Sequence, residues 1–535
     1  MDFLRATSYY KSMQKTHVRG ASHLKQKFDS ADVRDSSRRY SVIFYVMLIM
    51  LPLLAMAVCW WIGVRQSVWF DESYSIWLAR QPVGELVRLT GLDTHPPLYY
   101  MVLKAWAGVW GFGEAALRSL SVICYGLSII VAALFARRWF GVKPATYVLV
   151  LLSCMPLFMR YGFEIRMYAM ASLICVSASA VLVRAWYSRS RWWWGVYAVL
   201  VALGMLTVYY TAFLWMAHVV WLAVMSYKQG LQLKSIRAWL RLPWVWAYVG
   251  SVALFVPWLP VFVGQLGNGA LAPIAQPMNI DQLVGIISFN TLYKPTIFLG
   301  TIASILVISL VLFVIWAWPR ALRQVRYRAV FWLLVVHCVV PIGILLVISI
   351  VSSMYVERYL TYIATSFATV LGVVVYAAVA TDQEWTIRRR IAVLAFVPVM
   401  MLYGVGQLYW RGNFNFQRDE QPDTRRVVAD LQNCRDGSVL LATDPYIAVE
   451  ISYYLHDTSC TTVFFMDDSP TALTGGYAPL ETSSYRKVRD STRLFTTARR
   501  IKVLYYWNDT LPILPQYRFI SESGDVLKTA IFERM

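Results

Sequence analysis

The sequence has few charged residues. Asp, Glu, Lys and Arg make up 15% of its 535 residues, whereas soluble globular proteins carry about 25%. Hydrophobic residues make up 58% of the chain, and the mean hydropathy is +0.50. Several uninterrupted apolar runs are long enough to cross a bilayer as helices. This composition excludes a soluble globular protein and predicts a polytopic membrane protein.

Motifs of soluble nucleotide and metal chemistry are also missing. The chain contains no GxxxxGK[ST], no HExxH and no Rossmann glycine fingerprint, which argues against a soluble nucleotide-type donor. None of its seven cysteines forms a CxxC or Cys/His pattern typical of zinc. Five lie in or beside apolar runs, as small core residues do. Cys434 and Cys460 lie in the polar C-terminal part, where a disulfide between them is one open possibility.

Acidic residues are fewer than basic ones, 30 against 50, which gives a formal net charge of +20. Lys and Arg concentrate in short loops between apolar runs, which is the positive-inside pattern that orients helices. The charge therefore does not predict nucleic-acid binding. The first forty residues are polar and basic, and the apolar run after them is too long for a cleavable signal peptide. We expect residues 1–40 to form a cytoplasmic tail followed by a signal-anchor helix.

Apolar runs predict about eleven transmembrane helices, with the N-terminus in the cytoplasm. The predicted spans are Ser41–Gly63, Ala115–Ala136, Ala145–Met159, Met167–Tyr187, Trp192–Tyr209, Thr211–Tyr227, Trp244–Val263, Thr296–Trp318, Val330–Ile350, Tyr359–Ala380 and Ile391–Gln407. With this count every second connection is basic, and these connections are assigned to the cytoplasm. The other connections, and everything after Trp410, are then extracytoplasmic.

Two segments outside the spans have patterns of their own. In the first outer loop, SYSIWLARQPVGELVRL has apolar residues at helical spacing, which predicts amphipathic helices at the interface. The last 125 or so residues alternate helical and strand-like patterns and end in a hairpin pattern, typical of a small α/β domain. The predicted organisation is a tail (1–40), a membrane module (41–410) and an extracytoplasmic α/β domain (411–535).

Ionisable residues cluster at the predicted outer helix ends. Asp71 and Glu72 follow the first span, and GLDTHPPLYY places Asp93 and His95 in the same loop, where two prolines fix the backbone. RYGFEIRMYAM crowds Arg160, Glu164 and Arg166 into one short connection. Further candidates at outer helix ends are Arg118, Tyr209, Glu357 and Arg358.

Each of these residues, taken singly, also fits a structural role. A carboxylate at a span end can pair with a nearby arginine, Glu164 can neutralise a neighbouring guanidinium, and a loop histidine can simply be solvated. Arg118 by itself better fits a structural salt bridge. Together, however, carboxylates, arginines and aromatic rings on one membrane face predict an external active site for an anionic amphiphile. The carboxylate would accept a proton, the arginines would hold a phosphate and the rings would stack on a sugar.

The run FDESYSIWLAR…HPPLYYMVLKAWAGVWGFGEAALRSLSV resembles the first-loop signature of GT-C glycosyltransferases, in particular the protein O-mannosyltransferase and lipid A aminoarabinose transferase family. RYGFEIRMYAM and ERYL resemble later outer-face motifs of the same family, so the resemblance spans residues 41–362. It implies a GT-C fold in a bacterial plasma membrane. It also implies transfer of a sugar, with inversion, from a polyprenyl-phosphate donor to a lipid, glycan or protein acceptor outside the cytoplasm. The C-terminal domain resembles the appendage of bacterial members only loosely.

The resemblance also implies residue roles. Asp71 would be the general base, Glu72 would orient the acceptor or assist, and Arg160, Arg166 and Arg358 would hold the departing lipid phosphate, with His95 near the donor. His95 stands where aminoarabinose transferases tend to have Lys, which weakens aminoarabinose as the sugar. No metal cofactor is predicted.

Two other functions stay open at this stage. One is a transporter or flippase for an amphiphile, although the clustering of ionisable groups at helix ends and the lack of a detectable repeat favour an enzyme. The other is a surface-polysaccharide polymerase or ligase that acts on polyprenyl-linked substrates.

Overall fold

The computed structural model describes residues 31–188, 190–229, 236–267, 280–293, 297–351, 355–382, 384–410, 423–431, 438–455, 463–466, 479–480, 485–488 and 498–535. Most of the predicted N-terminal tail lies outside these ranges. Cys434 and Cys460 also lie outside them, so their pairing stays a prediction.

The described residues up to residue 410 are mainly helical. In chain order they are α1 (Ala31–Arg65), α2 (Phe70–Arg80), α3 (Val83–Gly91), α4 (Leu98–Trp110), α5 (Glu114–Phe140), α6 (Val142–Cys154), α7 (Pro156–Gly162), α8 (Tyr168–Ser188), α9 (Arg191–Met205), α10 (Thr211–Lys228), α11 (Ile236–Trp239), α12 (Pro243–Phe255), α13 (Leu259–Gly267), α14 (Ile280–Thr291), α15 (Ile297–Gln324), α16 (Arg328–Ile348), α17 (Ala364–Thr381) and α18 (Ile387–Trp410). Short 3₁₀ segments, Val256–Trp258 and Glu357–Ile363, precede α13 and α17.

The predicted multi-pass architecture is confirmed, but the count of eleven spans is not. Among the described residues, eight helical stretches are long and apolar enough to cross a membrane, or nine if α6 and α7 form one span bent by 57°. The bend falls at Pro156, which lacks the N–H that would continue α6. The two remaining predicted spans correspond to α9 and α10, with 15 and 18 residues. At 1.5 Å per residue they are roughly 23 and 27 Å long, shorter than a hydrocarbon core of about 30 Å.

Burial separates central helices from peripheral ones. In the spans Glu114–Phe140, Tyr168–Ser188 and Glu357–Thr381, 67 to 78% of the residues are buried, against 22 to 28% in Arg39–Arg65, Pro243–Leu266, Gly300–Gln324 and Ile387–Trp410. The first group forms the centre of the bundle, and the second turns apolar side chains outward, as lipid-facing helices do. The candidate site lies at the ends of the central spans that adjoin the segment between α1 and α5.

The segment between α1 and α5, which was predicted to be an outer loop, folds into α2, α3 and α4, in agreement with the predicted helices there. Its apolar side chains point into the protein, because Ile76, Leu78, Leu86 and Leu89 are 0 to 3% exposed. The backbone N–H of Leu98, at the start of α4, donates to the carbonyl of Leu206 at 3.1 Å. The loop is therefore packed against the helix ends rather than extended over them.

The C-terminal region contains helix α19 (Thr424–Asp430), helix α20 (Pro445–Leu455) and six strands, β1 (Ser438–Ala442), β2 (Val463–Met466), β3 (Tyr485–Val488), β4 (Arg500–Tyr506), β5 (Tyr517–Ser523) and β6 (Leu527–Arg534). The strands form one sheet in the order β3-β2-β1-β4-β6-β5. Strands β1 to β4 pair in parallel, and β5 and β6 form the predicted antiparallel closing hairpin. The predicted α/β fold is confirmed, although β3 was not among the predicted strands.

Candidate active site

Asp71 and Glu72 are consecutive residues in the first turn of α2. Successive side chains leave an α-helix about 100° apart, so the two carboxylates reach different surroundings. The sequence presents them as a pair, whereas the fold separates them. One lies at the edge of a group of arginines, and the other lies in the protein interior.

Glu72 is fully buried and binds three segments of the chain. Its Oε2 accepts a hydrogen bond from Arg118 Nη2 at 2.9 Å and its Oε1 accepts one from the Ile165 N–H at 2.9 Å. The N–H of Trp69, just before α2, lies 3.4 Å from Oε2. Burial raises the pKa of Glu72 to about 7, against the lowering effect of the Arg118 guanidinium. These contacts hold α2 against α5 and the loop after α7, and they leave Glu72 no exposed surface for a substrate.

Asp71 lies between two guanidinium groups. Its Oδ2 is 3.4 Å from Arg358 Nη1 and 3.8 Å from Arg166 Nε, and its side chain is 15% exposed. Both distances exceed the 2.7–2.9 Å of a strong charge-assisted hydrogen bond. Among the described residues, no donor makes a hydrogen bond to Oδ2. The carboxylate is thus held electrostatically and keeps acceptor capacity.

The two arginines reach Asp71 from opposite ends of the sequence and are fixed in different ways. Arg166 Nη1 donates to Ser75 Oγ and to Tyr100 OH, both at 3.2 Å, which locks the guanidinium beside α2 and α4. Arg358 sits at the start of the 3₁₀ segment, with its guanidinium 5.7 Å from the centre of the Trp69 ring. The Nε atoms of Arg166 and Arg358 have no hydrogen-bond partner among the described residues. Both arginines therefore retain donors that a phosphate could use.

A group of aromatic rings adjoins this charged cluster. The Tyr359 ring lies 4.6 Å from that of Tyr210, 6.1 Å from that of Tyr168 and 5.9 Å from that of His95. The Tyr359 OH is 3.4 Å from His95 Nε2. Burial lowers the pKa of His95, so the ring is neutral at pH 7. Rings of this kind present apolar faces and a few hydroxyls, which suits contact with a sugar.

The loop that carries His95 is fixed from two sides. Asp93 Oδ2 is 3.7 Å from His95 Nδ1. Burial opposes ionisation of Asp93, but hydrogen bonds from its neighbours and electrostatic attraction to His95 and Arg166 together outweigh burial and lower its pKa. The Asp93 carbonyl accepts from Gln265 Nε2 at 2.6 Å, and Gln265 Oε1 accepts from Tyr209 OH at 2.6 Å. Asp93 and Tyr209 thus position the loop that carries His95.

The other predicted residues do not join the Asp71 cluster. Arg160 Nη1 pairs with Glu164 Oε1 at 2.7 Å, and both side chains are 2% exposed. Glu164 therefore neutralises Arg160, which was the structural alternative for Glu164. Arg118 forms a salt bridge with Glu72, as the structural alternative for Arg118 predicted. Glu357 is partly buried near Tyr355.

The C-terminal region packs directly behind α2. Ser73 Oγ donates to the Glu450 carbonyl at 2.9 Å, and the Val68 N–H donates to Tyr454 OH at 2.8 Å. The Glu450 carboxylate, 3% exposed, accepts from Thr424 Oγ1 at 2.6 Å and Tyr506 OH at 2.8 Å. Helix α20 therefore braces the helix that carries Asp71.

Sequence reasoning missed several residues of the site. They are Trp69, Ser75, Tyr100, Tyr168, Tyr210, Tyr359 and the bracing residue Glu450. Most lie inside or beside the motifs FDESYS, HPPLYY, RMYAM and ERYL, so proximity to a motif was an available signal. Glu450 has no such signal, because its contact with Ser73 joins residues 377 positions apart.

The described part of the chain contains no cluster of metal-ligating side chains. Within these ranges no group of three or more His, Cys, Asp or Glu side chains converges on one point. Asp93 and His95 form a pair without a third such residue.

Comparisons with known proteins bear on this geometry. Residues 94–260 match the family model of dolichyl-phosphate-mannose-protein mannosyltransferases. The chain superposes on the crystal structure of ArnT from Cupriavidus metallidurans bound to undecaprenyl phosphate with a TM-score of 0.60, at 13% identity, covering 92% of this chain and 98% of that one. This is a GT-C glycosyltransferase fold.

The same ArnT in its apo state matches the GT-C fold of this chain with a TM-score of 0.59 and 13% identity, over 93% of this chain and 98% of that one. No curated protein matches the sequence. The family match and the fold confirm the resemblance to GT-C enzymes of the ArnT and protein mannosyltransferase type. The matched segment contains His95 and Arg166, while Asp71 and Arg358 lie outside it.

Proposed function

We propose that this protein transfers a sugar from a polyprenyl-phosphate donor to a hydroxyl acceptor, with Asp71 as the general base. The observation that carries the proposal is the Asp71 carboxylate between Arg166 and Arg358, 3.8 and 3.4 Å away. The match to a mannosyltransferase family model supports it. So does the fold shared with ArnT, whose crystal structure holds undecaprenyl phosphate.

The chemistry needs one base and a stabilised leaving group. Asp71 takes the proton of the acceptor hydroxyl as its oxygen bonds to the anomeric carbon. On the opposite side of that carbon, the bond to the phosphate oxygen breaks, and its electron pair leaves with the polyprenyl phosphate. A single displacement inverts the anomeric configuration and needs no covalent nucleophile.

Arg166 and Arg358 act on the leaving group. A phosphodiester donor carries one negative charge, and transfer leaves a phosphomonoester with more charge on its oxygens. Donors already oriented by Ser75, Tyr100 and Trp69 stabilise that growing charge without reorganising. With two cations and one carboxylate, the cluster of Asp71, Arg166 and Arg358 has a net positive charge that complements the donor.

Glu72 has a different task from its neighbour. Its oxygens are occupied by Arg118 and the Ile165 N–H, and it has no exposed surface. We assign it a structural role, which is to fix the first turn of α2 and hence the direction of Asp71. Arg160 likewise acts in the interior through Glu164. We assign His95 and Tyr359, which adjoin this cluster, as candidates for contacts with the sugar of the donor.

The basic connections support an orientation with the N-terminus in the cytoplasm and the site outside it, in a plasma membrane. Asp71 follows the end of α1 opposite to the basic segments Arg137–Arg138 and Arg388–Arg390. In this orientation the C-terminal sheet lies on the same outer side as the site.

Turnover of defined lipids tests the proposal. Purified protein receives undecaprenyl-phosphate-linked hexoses and pentoses in separate reactions, each with lipid, glycan and peptide hydroxyl acceptors, and released undecaprenyl phosphate is measured by mass spectrometry. We expect release with at least one of these sugars. Asp71→Asn should reduce it by about 10²- to 10⁴-fold, the usual contribution of a positioned base.

The matched control is Glu85→Gln, which changes a carboxylate in the same loop that pairs with Arg88 at the surface. It should leave turnover unchanged. Turnover within about threefold of wild type in a folded Asp71→Asn variant would remove Asp71 as the base. Retention of the anomeric configuration in the product, measured by NMR, would contradict the single displacement.

A further inference from the structure

A cavity of about 500 Å³ lies on the membrane face opposite Asp71. Among the residues around it are Tyr40, Trp139, Lys143, Arg326, Val373 and Tyr376. Its volume is within the usual range for small-molecule sites. None of these residues has a role in the proposed transfer.

The position of the cavity follows from helix α1. Tyr40 lies near the start of α1, which ends at Arg65, six residues before Asp71. At 1.5 Å per residue, about 38 Å of helix separate the two ends, which is the thickness of a bilayer. The cavity is therefore at the other membrane surface, between the ends of α1, α5, α6, α15 and α17.

Its lining has a charged rim and an apolar floor. Lys143 and Arg326 are exposed at the rim, whereas Val373 and Ala377 are buried beneath them. The Lys143 ammonium lies 4.5 Å from the centre of the Tyr40 ring. No lining residue that the structure describes here is acidic, so the two positive charges are not neutralised within the cavity.

The cavity also borders the lipid. Outward-facing residues of α1 next to Tyr40, including Val42, Ile43 and Val46, are 51 to 57% exposed. Because α1 is a peripheral span, a ligand can enter from the bilayer interface as well as from water. Apolar contact beside two cations suits an amphiphile whose polar end carries a phosphate.

We propose that this cavity binds the headgroup of an anionic phospholipid. Its phosphate lies between Lys143 and Arg326, and its glycerol and first methylene groups lie against Trp139 and Tyr376. The lipid holds together the ends of five helices on the face opposite the active site. This site is separate from the donor site and does not depend on the proposed transfer reaction.

Native mass spectrometry of the full chain tests the proposal. The protein is released from nanodiscs of phosphatidylcholine that contain phosphatidylglycerol, and retained lipids are counted. We expect one phosphatidylglycerol to be retained in preference to phosphatidylcholine. In the double variant Lys143→Ala/Arg326→Ala, that preference should fall by about 30-fold, the effect of two basic side chains near a lipid surface. Both side chains are exposed, so the variant keeps the core intact.

The matched control is Lys228→Ala/Arg388→Ala, which removes two exposed charges from the same membrane face outside the cavity. It should retain the lipid as wild type does. Equal retention in all three proteins, or an equal loss in both double variants, would overturn the proposal. Glycerol 3-phosphate serves as a soluble probe, and tight binding of this compound without retention of phosphatidylglycerol would also overturn it.

Discussion

The free energy of unfolding should depend on pH through the buried residue Glu72. The direction of that dependence shows whether desolvation of Glu72 or its ion pair with Arg118 dominates. Burial raises the pKa of Glu72 from the ordinary value of 4.5 to about 7. Between these values the folded protein holds a proton that the unfolded chain has lost. The contribution of Glu72 to the free energy of unfolding is therefore greatest below pH 4.5 and decreases as the pH rises through 7.

The perturbation is Glu72→Gln, which imitates the protonated side chain and cannot ionise. A rise in pKa from 4.5 to about 7 corresponds to about 3 kcal/mol in total. Between about pH 5 and about pH 8, roughly 2–3 kcal/mol of this is realised. We expect the variant to gain stability relative to wild type by that amount as the pH rises.

Unfolding by SDS in mixed micelles, followed by tryptophan fluorescence, measures the difference at each pH. Glu85→Gln is the control, because Glu85 is paired with Arg88 at the surface and its carboxyl is little buried. If the ion pair itself stabilised the fold, wild type would gain relative to Glu72→Gln with rising pH. That opposite slope, or a flat difference, would refute the reasoning that desolvation dominates.

Three further predictions concern other parts of the chain. Arg358→Gln should lower kcat/KM for the lipid donor about tenfold or more, because a charge-assisted contact to phosphate contributes about 1.5–3 kcal/mol; an unchanged kcat/KM in initial-rate kinetics would contradict this role. Ser73→Ala should lower kcat more than it raises the KM for the lipid donor, because it removes the hydrogen bond to the Glu450 carbonyl that braces α2 and leaves the arginines in place; equal changes in both parameters would count against bracing. Gly372→Ala should lower the thermal midpoint in detergent by the cost of overpacking, about 1–3 kcal/mol, because its new Cβ would lie 2.6 Å from Val148 Cγ2. Gly343→Ala, with open space around it, should change the midpoint little.

The sequence predicted those features that depend on local composition. Long apolar runs predicted the spans, because a membrane helix satisfies its backbone within itself and needs only a sufficient apolar length. The closing hairpin and β1, β2 and β4 were predictable from apolar strand patterns. The runs at α9 and α10 form helices of 15 and 18 residues, so the predicted count of eleven spans is not confirmed.

The charged residues of the candidate site could be identified from the sequence, whereas their contacts could not. The motifs around Asp71, Arg166 and Arg358 could be identified from residue type and from their predicted outer position. The residues that stack beside them, such as Tyr359 and Tyr210, had no charge to mark them. Arg160 and Arg166 were equivalent in RYGFEIRMYAM, yet one faces Glu164 and the other faces Asp71.

The sequence by itself determined that this chain crosses a membrane repeatedly and places carboxylates and arginines at its helix ends. Apolar length and the distribution of Lys and Arg act locally, so they can be read from residue order. Only the tertiary structure decided which carboxylate meets which arginine. Asp71 and Glu72 are adjacent in the chain, but helix geometry directs one toward Arg358 and buries the other beside Arg118. That division arises from contacts between residues 46 to 287 positions apart, which no local pattern encodes.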